Sequence, residues 1–183
     1  MKQESKVKLE LAEQFYKFSL GIKATIDAAT ALNKKVLEYY GVFSYYKHTL
    51  EGKELELTRE QEGRAAYLLE LVATYMMILQ LNKVLKDEWG EGRLEDKDME
   101  KQAISQVVRL IRNAFAHDPF VPTWDISPSA RNKEYVIPGV LTFKTHGLHG
   151  NRVLWKRDEK GKEYGGQIAL LRLLQRARER LSE

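Results

Sequence analysis

With 183 residues and a hydrophobic share of 43%, the chain holds enough apolar material for one core of ordinary size. It has no cysteine, which removes disulfides, thiolate catalysis and cysteine-ligated zinc together. Thirty basic residues against 26 acidic ones leave a formal charge of +4, a mild excess that permits an anionic partner without demanding one.

The start, Met1-Lys2-Gln3-Glu4-Ser5-Lys6, leads into an amphipathic stretch and not an apolar one, so no secretory signal is expected and the cytoplasm is the expected compartment. From Lys6 to Tyr40 the pattern predicts one long helix or two in series. Leu11, Phe15, Phe18, Ile22 and Ile26 recur at three- and four-residue steps, and Gly41 is the expected stop. Val42 to Tyr46 reads as an extended piece or a short helix, and Glu51-Gly52 as a turn. A second long helix starts at Thr58, where Thr58 and Gln61 fit a capping box. It is apolar nearly all round, which predicts a place in the middle of a bundle. Its most apolar stretch, Leu68 to Leu81, is interrupted by Glu70 and is too short to cross a bilayer, so no membrane partner is expected. Gly90 and Gly92 end it near Trp89.

A third helix begins at Asp96 or Asp98, both good caps, and carries the stripe Ile104, Val107, Val108, Ile111 and Phe115. Pro119 ends it by pushing Asp118 out of helical geometry. Beyond it, two prolines and two serines between Phe120 and Ala130 mark an irregular loop. Tyr135 to Ile137, Val140 to Phe143 and Val153 to Trp155 look like short strands punctuated by glycines. A final helix from about Gly166 to Leu181 places Ile168, Leu171, Leu174, Ala177 and Leu181 on one side. The predicted architecture is mainly α, a helical bundle with a small C-terminal β elaboration and a final helix. One domain is expected over 1–183, with a bundle core at 6–119, a loop and short strands at 120–165 and a terminal helix at 166–182.

The chemistry-bearing segment is Arg112-Asn113-Ala114-Phe115-Ala116-His117-Asp118-Pro119. Its arginine lies on the most clearly periodic helix, an asparagine follows at once, and the histidine falls where the helix must stop. On an α-helix, Asn113 and His117 share a face, while Arg112 sits about 140° round from His117 and must reach back with its long side chain. A guanidinium binds phosphate oxygens in a fork, and an imidazole titrates near neutrality and can move protons.

The segment resembles the R-x4-6-H motif of the HEPN superfamily, in its form Arg-Asn-x-x-x-His. The match is tight from Ile111 to Pro119 and looser over the long helices of 6–119. The resemblance implies a HEPN-like bundle and, as in many HEPN proteins, a metal-independent endoribonuclease. It makes Arg112 and His117 the catalytic candidates and Asn113 a residue that orients the histidine or contacts phosphate, with no metal ligands and no cofactor. RNA brings its own nucleophile, the 2′-hydroxyl, so the enzyme needs proton transfer and charge stabilisation on the phosphorane. The implied products carry 2′,3′-cyclic phosphate and 5′-hydroxyl ends. One motif histidine per chain is too few for both acid and base, and the resemblance implies a homodimer whose two motifs meet across a twofold axis. A toxin or phage-defence role, with a cognate antitoxin, belongs to the same implication. The alternative it leaves open is a non-catalytic HEPN module that binds nucleotides or regulates a partner protein.

Other features read less sharply. His146 and His149 flank Gly147 in a glycine-rich turn and lack a neighbouring carboxylate or cysteine, which makes a metal site unfavourable. Arg172, Arg176, Arg178 and Arg180 form either a phosphate-tracking patch or a solvated outer face, with the second favoured. Tyr39, Tyr40, Tyr45 and Tyr46 either stack on bases or pack on a neighbouring helix, and His48 reads as a surface residue. Glu70 needs a partner if it is buried.

Overall fold

A computed structural model describes residues 1–28, 57–153 and 166–183. The chain is mainly helical, with a small two-stranded antiparallel sheet and a C-terminal helix. The elements in order are α1 (Gln3–Ala28), α2 (Arg59–Trp89), a 3₁₀ turn (Glu91–Glu95), α3 (Met99–Ala116), a 3₁₀ turn (Pro128–Ala130), β1 (Glu134–Ile137), β2 (Leu141–Lys144) and α4 (Gln167–Ser182). Residues group into two compact units, one made of Met1–Glu13 with Tyr75–Glu183 and the other of Gln14–Thr74. The expectations for Gly41, Glu51-Gly52, the tyrosines of 39–46, His48 and residues 154–155 lie outside the described residues.

In the Gln14–Thr74 unit, the second helix begins as its sequence requires. The Thr58 amide donates to Gln61 Oε1 at 2.7 Å and the Gln61 amide to Thr58 Oγ1 at 3.3 Å, so the box satisfies donors that the first turn leaves orphaned. Tyr16, Ser19, Ala66, Glu70, Leu71, Ala73 and Thr74 are buried here. The Ser19 hydroxyl donates to the Tyr16 carbonyl at 2.7 Å and that of Thr74 to the Glu70 carbonyl at 2.8 Å, which removes the penalty of burying either one.

Over its described part, Gln3–Ala28, the first helix forms as expected and residues 29–40 lie outside the described residues, but the face it buries is not the one with the largest apolar residues. Leu9 and Tyr16 are fully buried, whereas Leu11 is 61% and Phe18 48% exposed. The buried row also takes the small residues Ser5, Ala12 and Ser19. Ser5 is satisfied there by Glu88, at 2.8 Å.

The larger unit holds the rest of the core. Met77, Ile78, Leu81, Val84 and Leu85 of α2 are fully buried, and Gly90, at φ 80°, ends the helix with its amide on the Lys86 carbonyl. By length and composition Glu60–Trp89 could cross a membrane, yet half of its most apolar window is covered by the protein itself, as in a core helix. Asp98 caps α3 by accepting from the amides of Glu100 (3.0 Å) and Lys101 (3.1 Å). All five residues of the expected α3 stripe are buried, and Phe115 stacks on Tyr75 with ring centroids 6.2 Å apart. Gln106 donates to the Leu94 carbonyl at 2.9 Å and ties α3 to the 3₁₀ turn before it.

The strands β1 and β2 pair antiparallel, with Glu134 opposite Lys144 and Ile137 opposite Leu141. Their connection runs through Pro138 and Gly139. Gly139 has φ 72° and the Val140 amide returns to the Ile137 carbonyl at 3.0 Å, the pattern of a type II turn. In α4 the buried residues are Leu170, Leu173, Leu174, Ala177 and Leu181. Ile168, expected on the same side, is 58% exposed because the buried row begins two residues later.

Candidate functional site

The end of α3 is held from outside by the chain that follows it. His117 is the C-cap and still helical (φ −85°, ψ −42°). Asp118 then folds the chain over, its Oδ1 accepting from the amides of Phe120 (2.8 Å) and Val121 (3.1 Å). The Thr123 amide returns to the Ala114 carbonyl at 3.0 Å and so satisfies one of the orphan acceptors at the end of the helix. The same segment pairs with residues 149–153. Trp124 donates to the Asn151 carbonyl, Gly150 to the Trp124 carbonyl and Val153 to the Pro122 carbonyl, each at 2.9 Å. Trp124 is anchored by Phe143, ring centroids 5.3 Å apart.

This loop-on-loop pairing builds a cavity of about 250 Å³ beside His117, lined by Ala114, His117, Asp118, Val121, Thr123, Trp124, Asp125, His149 and Gly150. The His117 side chain is 82% exposed, and its Nε2 lies 3.8 Å from Asp125 Oδ2. That distance suits an ion pair when the ring is protonated and is too long for a hydrogen bond. The Ile126 amide donates to His149 Nδ1 at 3.2 Å. His149 sits between Gly147 and Gly150, whose φ values of 68° and 79° suit glycine and form the tight turn that presents the ring.

Arg112 and Asn113 do not line this cavity. Arg112 Nη1 donates to Asn113 Oδ1 at 3.1 Å, so the asparagine holds the arginine. Arg112 Nε is closed off from solvent without an acceptor, and the guanidinium pairs with no carboxylate among the described residues.

The C-terminal arginines stand in contrast. Arg176 grips Glu100 through Nε (2.6 Å) and Nη2 (2.9 Å) and reaches Glu179 at 3.0 Å. Arg178 pairs with Glu13, and Arg180 with Asp98 and Glu183. These three are fastened to carboxylates of other elements and are only 21–29% exposed, so neither a solvated face nor a phosphate track describes them. His146 Nδ1 is engaged by Asn132 Oδ1 at 2.9 Å, so the two turn histidines serve different neighbours. Among the described residues no three His, Asp or Glu side chains cluster as a metal site would need.

Sequence reasoning named Arg112, Asn113 and His117, weighed His149 only as a metal ligand and read it as part of a turn, and passed over Asp125. The signal available for His149 was its seat between two glycines; Asp125 carried none.

No protein-family model, no curated protein and no solved structure matches the chain.

Proposed function

We propose that the chain is a metal-independent endoribonuclease of HEPN type that cuts RNA through its 2′-hydroxyl. The observation that carries this reading is the contrast among arginines at and beyond α3: Arg112 has no carboxylate partner, five residues before an exposed His117 at the edge of a cleft. A guanidinium without a counter-ion is the group that a phosphate neutralises most favourably. His117, open to solvent and facing Asp125, is placed to exchange protons with a bound substrate. In this reading Asn113 acts through Arg112 as a positioning residue, two chains associate through the motif face, and a toxin or phage-defence role with a cognate antitoxin goes with the family resemblance.

One observation favours a second reading, a HEPN module that binds nucleotides without cutting: Arg112 does not line the cavity that His117 lines. RNA cleavage in excess chelator separates the two. Wild type, Arg112→Ala and His117→Ala are compared at matched folding and oligomeric state. Loss of cutting in both variants, with cyclic phosphate ends on the wild-type product, supports the nuclease. Wild type that binds RNA but cuts none across varied sequences selects the binding module.

A further inference from the structure

A guanidinium folded against the protein loses hydration, and a carboxylate beside it ordinarily offsets the loss. Arg93, Arg176, Arg178 and Arg180 are buried or half-buried, and each has such a partner: Glu91 at 3.7 Å for Arg93, and Glu100, Glu13 and Asp98 for the arginines of α4. Arg109 and Arg112 are half-buried too, yet among the described residues neither meets a carboxylate. Arg109 Nη2 donates to Gln106 Oε1 at 2.9 Å and Arg112 Nη1 to Asn113 Oδ1 at 3.1 Å, and the Nε of each is closed off from solvent without an acceptor. Tyr135 of β1 lies close enough to feel the Arg109 charge, but burial pushes its phenol up, so it stays neutral and supplies no anion.

Both arginines stand on one stretch of α3. Three residues apart, they are separated by about 60° round the axis and a rise of about 4.5 Å, so two like charges are neighbours. From Lys101 to His117 the helix has no acidic residue to set against them. Arg109, Asn113 and His117 follow one another at four-residue steps, which puts Arg109 on the face of the motif histidine, about 12 Å back along the axis.

We propose that Arg109 is a second phosphate-binding residue, which extends the anion site of Arg112 along α3 so that the face from Arg109 to His117 takes the backbone of single-stranded RNA. A phosphate on Arg109 brings the counter-charge that the fold does not provide and eases the repulsion from Arg112. Gln106 serves Arg109 as Asn113 serves Arg112: its amide oxygen orients the guanidinium and leaves the charge for the ligand. This assignment rests on the reading of the chain as an RNA-processing protein, and it concerns binding alone, with no part for Arg109 in proton transfer.

The test is fluorescence anisotropy of a non-cleavable 2′-O-methyl U octamer on the full chain across a salt series. Arg109→Gln keeps much of the side chain's length and removes its charge; it should lower the slope of log affinity against log salt by about 0.7, the share of one phosphate contact on a single strand, and Arg109→Gln with Arg112→Gln by about 1.4. Arg109→Lys keeps the charge and should hold the wild-type slope. Arg172, exposed on α4 and likewise without a carboxylate partner among the described residues, controls for net charge, and Arg172→Gln should leave the slope unchanged. Arg109→Met, neutral and apolar along the half-buried stem, gives the same reading where Arg109→Gln does not fold. A wild-type slope in the neutral Arg109 variants, an equal fall in Arg172→Gln, or no binding of the octamer by wild type overturns the second contact. If that happens while wild type still cuts RNA, the nuclease reading stands alone. A slope lowered as expected in a protein that cuts no RNA leaves the contact standing and removes the nuclease.

Discussion

Asp98 joins the start of α3 to α4, so its removal has a size that can be worked out. Its carboxylate accepts from the amides of Glu100 and Lys101 at the start of α3 and pairs with Arg180 of α4. Asp98→Ala loses the cap, worth about 1 kcal/mol and at most about 2. The ion pair is partly exposed and adds roughly 0.2–1 kcal/mol. The expected loss is therefore about 1.2–3 kcal/mol. With a urea slope of about 2 kcal/mol/M, the unfolding midpoint should fall by roughly 0.6–1.5 M. Asp98→Asn keeps an equally good capping oxygen and gives up only the charge, so its loss should stay below about 1 kcal/mol. Urea titrations followed by far-ultraviolet circular dichroism measure both. An unchanged midpoint for Asp98→Ala, or an asparagine variant as weak as the alanine one, would refute the assignment of Asp98 as the cap that secures α3.

Other outcomes follow from the same geometry. Leu9→Ala should cost about 2–5 kcal/mol, while Leu11→Ala, two residues along the same helix but 61% exposed, should stay within about 0.5 kcal/mol; equal losses in urea titrations would mean that the buried face is misassigned. Arg112→Ala should lower the dependence of log binding on log salt for a single-stranded RNA by about one contact, whereas Arg176→Ala, already neutralised by Glu100 and Glu179, should leave that slope unchanged. Acid should weaken the fold through three carboxylates held below their ordinary range. The Lys2 amide does this for Glu88, the Lys101 side chain for Asp96 and the Lys101 amide for Asp98, where Arg180 adds to it and Asp96 opposes. A folded value below the unfolded one means that this stabilisation is complete above about pH 4 and is lost as pH falls through the folded values. Urea midpoints attributable to these groups should hold level between pH 7 and 5 and fall toward pH 3; a rise toward pH 3 would contradict the sign.

The third helix was legible because every local signal agrees with its surroundings. One face carries the stripe Ile104, Val107, Val108, Ile111 and Phe115, Asp98 starts it and Pro119 bars its continuation. The first helix has apolar residues on two faces, and periodicity alone cannot choose between Leu9, Ala12 and Tyr16 on one side and Leu11, Phe15 and Phe18 on the other. The smaller row is the buried one, its serines satisfied by the Tyr16 carbonyl and by Glu88, contacts that residue size does not announce. The arginines of α4 were ambiguous for a related reason. Their carboxylates come from positions 76 and 165 residues away, Glu100 and Glu13, and no local pattern encodes such a pairing. His149 was hidden in the same way. It reaches the cleft only because residues 122–124 hydrogen-bond to 150–153 across two irregular loops, where neither the period of a helix nor that of a strand applies.

The formal charge of +4 is thus a poor guide to where an anion would bind. Most of the basic side chains of α4 are spent within the protein: Arg176, Arg178 and Arg180 secure the terminal helix to Glu100, Glu13 and Asp98 and hold little potential for a ligand. On α3, Arg109 and Arg112 bond instead to the neutral side chains Gln106 and Asn113. A neutral acceptor orients a guanidinium without cancelling its charge, which is what a phosphate site requires and a structural ion pair does not. The adjoining cleft has the opposite character, with carboxylates and imidazoles around an apolar wall.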